Sequence, residues 1–215
     1  MQMYRRVMTA VVATTMVLAA APAFAQGAGQ TQVNTGLGIG ALGGVSWTTV
    51  RTENEVDFDF KSGTGWQAGI WFGGNRDGRV GLMGEVSYAV KKIGDEFDNE
   101  VERTYVQIPV LLRINAGYRE RNKPSVYFLV GPVFDIAIDT KEIFDGEELD
   151  TPDDVYEGLE IGLMFGAGFE VARIGIEGCY SWGFKSVLAT DEALDSGFGS
   201  TKLNTFSVIA KIRFN

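Results

Sequence analysis

Thr205-Phe206-Ser207-Val208-Ile209-Ala210-Lys211-Ile212-Arg213-Phe214 is the stretch that decides how this chain folds. Phe206, Val208, Ala210, Ile212 and Phe214 fall on one side of a period-two pattern, and Thr205, Ser207, Lys211 and Arg213 fall on the other. A period of two belongs to an extended strand, whose successive side chains point to opposite faces. One such strand would fit any half-buried sheet. Here the pattern recurs upstream, giving eight strands in all, and the bulky apolar face of each carries no charged residue.

The eight predicted strands cover residues 36–50, 64–73, 79–91, 103–115, 125–139, 156–171, 174–185 and 203–214. Leu37, Ile39, Ala41, Val45 and Trp47 form the apolar face of the first, opposite Gly36, Gly38, Gly40, Gly44 and Ser46. The fifth and sixth are apolar on both faces at Leu129, Val133 and Met164, so a bulge there can shift the register. Tight turns at 75–78 and 172–173 and a moderate connection at 116–124 alternate with long loops at 51–63, 92–102, 140–155 and 186–202. An even-stranded outer-membrane barrel has short periplasmic turns and long outer loops, with both chain ends on the periplasmic side. The predicted fold is therefore all-β, an eight-stranded antiparallel up-and-down transmembrane β-barrel over residues 36–215.

Volume and energy decide which face is outside. An eight-stranded barrel has an interior just wide enough for filling side chains or one small ligand. It has no room for Trp47, Trp66, Trp182, Phe72, Phe128, Phe134, Phe165, Phe169, Phe184 and Phe206 together with their aliphatic neighbours. The other face carries Glu85, Lys91, Arg113, Asp135, Glu160, Glu170, Glu177, Lys185, Lys211 and Arg213. A basic residue facing lipid costs roughly 2–4 kcal/mol at the midplane. Turning the sheet inside out would thus cost on the order of 10–20 kcal/mol, comparable with the stability of a whole domain. The charged residues are expected in the lumen as a structural network of ion pairs and hydrogen bonds, because unpaired burial is expensive. Trp47, Trp66, Tyr88, Tyr180 and Trp182 are candidates for interfacial aromatic girdles.

The N-terminus reads differently. Arg5 and Arg6, the largely apolar residues 7–21 and Ala23-Phe24-Ala25 have the layout of a secretory signal peptide, residues 1–25, cut before Gln26. The adjacent arginines lack the remainder of a twin-arginine pattern, so the general secretion route is expected. A short, polar, flexible lead at 26–35 follows. No later run of about 18 apolar residues occurs, so no spanning helix is expected. The net charge of −9 becomes −11 once Arg5 and Arg6 are removed, and a basic footprint for nucleic acid is absent.

Tyr105-Val106-Gln107-Ile108-Pro109-Val110-Leu111-Leu112 resembles a strand motif of the outer-membrane β-barrel domain family common in Bacteroidetes, the PorT-like and OmpA-like eight-stranded barrels. The resemblance continues through Tyr127-Phe128-Leu129-Val130-Gly131-Pro132, Gly162-Leu163-Met164-Phe165-Gly166-Ala167-Gly168 and Ile176-Glu177-Gly178-Cys179-Tyr180-Ser181-Trp182-Gly183. It implies an outer-membrane barrel of a Gram-negative cell, mostly without an assigned biochemical activity. One similar branch is linked to gliding and the type IX secretion apparatus. Such barrels usually end in an aromatic residue read by the barrel-assembly machinery; here Phe214 is followed by Asn215.

Little in the sequence points to catalysis. There is no histidine, so Ser-His and Asp-His arrangements are impossible, and one cysteine without histidine builds no zinc cluster. A carboxylate-only mechanism through Glu85, Asp135, Glu160, Glu170 or Glu177 is the remaining enzymatic option, set against a lumen network that fills and rigidifies the barrel. Cys179 is expected in the lumen as a small filler. The acidic run at 145–154 lacks EF-hand spacing and reads as a solvated extracellular loop. No catalytic, cofactor or metal residues are assigned. The expected partners are outer-membrane lipid and lipopolysaccharide, the assembly machinery during biogenesis, and an unidentified protein at the loops. The expected role is structural or surface interaction without enzymatic activity; the alternatives are a narrow pore or carrier for small solutes and an accessory part of a secretion system.

Overall fold

The structure is a computed structural model that describes residues 37–52, 61–94, 100–116, 123–144, 147–150, 158–184 and 201–215. The expected signal peptide at 1–25, the expected lead at 26–35 and Lys185 lie outside the described residues. Eight strands form the barrel: β1 (Gly38–Thr52), β2 (Lys61–Gly73), β3 (Val80–Gly94), β4 (Glu100–Asn115), β5 (Ser125–Phe144), β7 (Leu159–Val171), β8 (Ile174–Gly183) and β9 (Thr201–Arg213). A short β6 (Glu147–Asp150) lies in the loop after β5. Each barrel strand pairs antiparallel with its neighbours in the chain, and β1 pairs with β9 to close the wall. Closure leaves no barrel edge, which is what allows strands to cross a membrane.

Exposure follows the predicted faces except at Val90, Ile108 and Ile136, which share the outward parity of their strands yet are buried. Ile39, Trp66, Ile70, Phe128, Phe165, Phe206 and Ile212 are exposed, whereas Glu85, Arg113, Glu177 and Lys211 are buried. The register irregularity anticipated in the fifth strand is a bulge. Thr104 pairs with Asp139 and Tyr105 with Ala137, so Ile138 is the extra residue on β5. It lies beyond Asp135, and the alternation from Val126 to Asp135 is undisturbed.

The strands overrun their predicted ends on the side of the long loops. β2 begins at Lys61, β3 reaches Gly94, β4 starts at Glu100 and β5 runs to Phe144. The expected loop at 140–155 also contains β6, paired with the end of β5. The cause is a change of pairing chemistry. Lys92 is opposite Glu102 and Glu102 opposite Lys141, so charge alternates in sign across three strands. The Lys92 ammonium lies 2.6 Å from Glu100 and 3.0 Å from Glu102. Opposite charges on facing positions support a sheet, but they leave no apolar alternation to read. β1 and β9 also overrun, to Thr52 and from Thr201, whereas two strands are shorter at this side: β7 begins at Leu159 and β8 ends at Gly183.

The end with the tight turns also holds both ends of the barrel chain: Gly38 pairs with Gly73, and Gly40 with Arg213. In the β7–β8 turn Ala172 has a φ of 52°, a left-handed conformation that disfavours residues bearing a Cβ. Ala172→Gly is expected to stabilise the barrel by about 1 kcal/mol. A higher urea midpoint for unfolding from lipid vesicles is the predicted readout; a lower one contradicts the strain.

Candidate functional site

The lumen is filled in layers. Nearest the tight turns, the Glu170 carboxylate accepts hydrogen bonds from Arg76 Nη1 at 2.7 Å and Arg113 Nη2 at 2.8 Å, with Arg213 Nε at 3.3 Å. Arg76 leaves its turn and enters the barrel, donating also to the backbone oxygens of Ala172 and Lys123. One guanidinium thereby ties together all three short connections. The Arg113 guanidinium lies over the Tyr127 ring, 3.7 Å from its centroid. Such stacking suits the planar, weakly hydrated arginine head.

The next layer centres on Lys211. Its ammonium lies 2.5 Å from Glu85 and 2.7 Å from Glu177. Tyr127 donates its hydroxyl to Glu177 at 2.7 Å. The Tyr127 ring sits over Gly168, where a Cβ would come within 2.4 Å of it. Above Lys211 the lining turns apolar, with Leu42, Leu111, Leu129, Val133, Met164, Cys179 and Ile209 in one buried cluster. Toward the long loops it becomes ionic again. Asp135 accepts from Lys91 at 2.5 Å and Gln107 at 2.8 Å; Glu160 accepts from Arg103 at 2.5 Å and Tyr105 at 2.6 Å.

Nine of the ten residues named from the sequence for a lumen network thus line the barrel: Glu85, Lys91, Arg113, Asp135, Glu160, Glu170, Glu177, Lys211 and Arg213. The tenth, Lys185, falls outside the described residues. Their ion pairs fall into three groups, the first two joined through Tyr127, which lies under Arg113 and donates to Glu177. Sequence reasoning missed Arg76, Arg103, Tyr105, Gln107 and Tyr127. For the last four the signal was available, since each occupies the inward parity of its strand. For Arg76 it was not, because a turn residue has no parity.

The interior holds large apolar side chains beyond those read from the sequence at Leu129, Val133, Met164 and Cys179. Trp71 points inward and is buried, as are the aliphatic residues of the middle layer. A lumen made only of glycine and ion pairs would leave voids, and interiors pack close to crystal density. Glycine makes the room that Trp71 fills: a Cβ on Gly38 or Gly40 would lie 2.4 or 2.7 Å from the indole. A cavity of about 10 Å³ remains between the arginine layer and Lys211, lined by Trp71, Met83, Tyr127, Arg113, Lys211 and Arg213 among others. That is about the room of one water molecule. No group of three or more metal-ligating side chains occurs among the described residues.

A closed antiparallel wall, apolar outside and filled inside with paired charges, defines a membrane-spanning β-barrel. The chain belongs to the outer membrane protein beta-barrel domain family, which matches residues 24–189. This makes it a member of a family of outer-membrane proteins. Among solved structures it is similar to Ail, the attachment invasion locus protein of Yersinia pestis, in complex with the heparin analogue sucrose octasulfate: 15% identity, 83% of this chain and 99% of that one, TM-score 0.44. It is also similar to Neisserial surface protein A, at 9% identity over 82% of this chain and 97% of that one, TM-score 0.47. OprG of Pseudomonas aeruginosa shares 12% identity over 83% of this chain and 96% of that one, TM-score 0.41. No curated protein matches the chain.

Proposed function

We propose that this chain is a non-enzymatic outer-membrane barrel that acts as a rigid mount, displaying acidic loops at the cell surface to an unidentified partner. The observation that carries this reading is the plugged lumen. Three charge-paired layers and an apolar layer leave about 10 Å³ in the cavity near Lys211, whereas a conducting barrel needs a continuous aqueous path. The carboxylates that an enzyme would need are bound to Arg and Lys within the wall and make no cleft. The connections carry the acids instead, densest at 145–154. Export through a signal peptide at 1–25 and affinity with the Bacteroidetes-type branch, suggested by the motif at 105–112, complete the reading.

Crosslinking from positions in the 145–154 loop in intact cells, followed by identification of the captured neighbours, tests the surface role. Recurrent capture of one envelope or extracellular protein is the expected result. Reconstitution in planar bilayers is the complementary measurement, with no steady unit current expected. A reproducible unit conductance, abolished by unfolding, would overturn the mount in favour of a solute pathway.

A further inference from the structure

Trp71 brings an N–H donor into the lumen that no group of the described wall accepts. The residue is 3% exposed, and its indole nitrogen has no hydrogen-bond partner among the described residues. The benzene edge of the ring lies over Gly38 and the nitrogen over Gly40. Gly40 is one inward step nearer the long loops, so the donor is on the side of the ring that faces the Lys211 layer. Buried donors are normally paired, because leaving one without an acceptor is expensive.

The indole lines the cavity of about 10 Å³ between the arginine layer and Lys211, and two cations on the same lining have protons to spare. Lys211 is held by Glu85 and Glu177, and its other polar contact is the Met83 thioether at 3.7 Å, a weak acceptor. Arg173, in the β7–β8 turn, is exposed, and its guanidinium makes no hydrogen bond or ion pair with any described residue. Among the described lining residues only Glu170 is acidic, and Arg76, Arg113 and Arg213 already share it.

A ligand suited to this lining accepts hydrogen bonds and donates none. A water molecule has two protons of its own to place, and the one lining carboxylate is already engaged by three guanidinium groups. An anion has none to place, and Arg173 supplies a matching charge. Size narrows the class further. The volume is about that of one water molecule, too small for phosphate, sulfate or a carboxylate, whereas a halide is monatomic and only slightly larger than water. We propose that this cavity binds one halide ion, chloride in the cell, through the Trp71 N–H, the Lys211 ammonium and the Arg173 guanidinium. The exposed Arg173 marks the way in, from the tight-turn end. The ion ties β2, β9 and the β7–β8 turn together, so chloride stabilises the folded barrel by mass action. The site needs only the packed tight-turn half of the lumen and not the display role, so failure to find a surface partner leaves it standing.

The test uses the full-length barrel folded in lipid vesicles and unfolded by urea, in sodium chloride or in sodium gluconate of equal ionic strength. Chloride and bromide are expected to raise the midpoint saturably, and gluconate to have no such effect. Broadening of the chloride NMR line by the folded protein in detergent reads binding directly. Arg173→Gln and Trp71→Phe are each expected to weaken chloride binding about tenfold, the worth of one charge-assisted hydrogen bond. Trp71→Phe keeps a ring in place and removes the N–H. Arg79→Gln changes another exposed arginine at the tight-turn end that does not line the cavity, and is expected to leave binding unchanged. Heat-modifiable gel migration reads folding, and Arg173→Gln, in an exposed turn, decides the matter if Trp71→Phe does not fold. Chloride and gluconate acting alike overturns the site in favour of a water molecule. So does chloride binding that survives Arg173→Gln, that survives a folded Trp71→Phe, or that falls equally in Arg79→Gln.

Discussion

Glu170→Ala is expected to destabilise the barrel by at least about 3–5 kcal/mol, the usual cost of removing one partner from a buried ion pair. The carboxylate is shared by Arg76, Arg113 and Arg213, whose side chains are 1%, 2% and 3% exposed. Deleting it strands several buried positive charges together, so repulsion adds to lost pairing. Against a typical net stability of about 5–15 kcal/mol, this is a large share. The urea midpoint for unfolding from lipid vesicles, read by tryptophan fluorescence and by heat-modifiable migration, should fall sharply. Glu170→Gln keeps one acceptor oxygen without the charge and should fall between. Glu102→Ala removes a carboxylate from a partly exposed pair with Lys92 (side chains 26% and 30% exposed) and should cost no more than about 1 kcal/mol. Equal effects at Glu170 and Glu102 would mean that the arginine layer is hydrated rather than packed.

Val208→Arg and Phe128→Arg are expected to cost about 2–4 kcal/mol each if these positions meet the bilayer midplane. Both side chains are outward, 37% and 51% exposed. The cost should fade toward the long-loop end: Asn204→Arg, one outward step from Phe206 on the same strand, should cost about 0–1 kcal/mol. This gradient distinguishes lipid contact from burial against protein, since a protein interface does not sort arginines by depth. Flat, small costs along β9 in vesicles would remove the membrane assignment, whatever the barrel's shape.

Much of this barrel was legible because two rules act on the same residues. Alternation of period two placed Phe206, Val208 and Ile212 on one face and Lys211 and Arg213 on the other. The cost of ionised groups in hydrocarbon then decided which face was inside. Both rules are local and survive without knowledge of neighbours. Where they failed, the information was not local. The ends of β3, β4 and β5 are held by charges that pair between strands, as at Lys92, Glu102 and Lys141, and no single strand reveals them. Trp71 enters the lumen because Gly38 and Gly40 on the adjacent strand leave it space, a fit between two segments rather than a property of either.

The chain's own order of residues determined the number of barrel strands, their faces, the alternation of short and long connections and the sign of the lumen lining. Those follow from side-chain spacing and from the solvation cost of charge, which each segment carries with it. Only the closed tertiary structure decided which charges meet. Glu170 finds Arg76 across 94 residues and Lys211 finds Glu85 across 126, because closure and register set heights that no segment encodes alone. The same closure sets Arg51 opposite Lys202 on two separate strand ends.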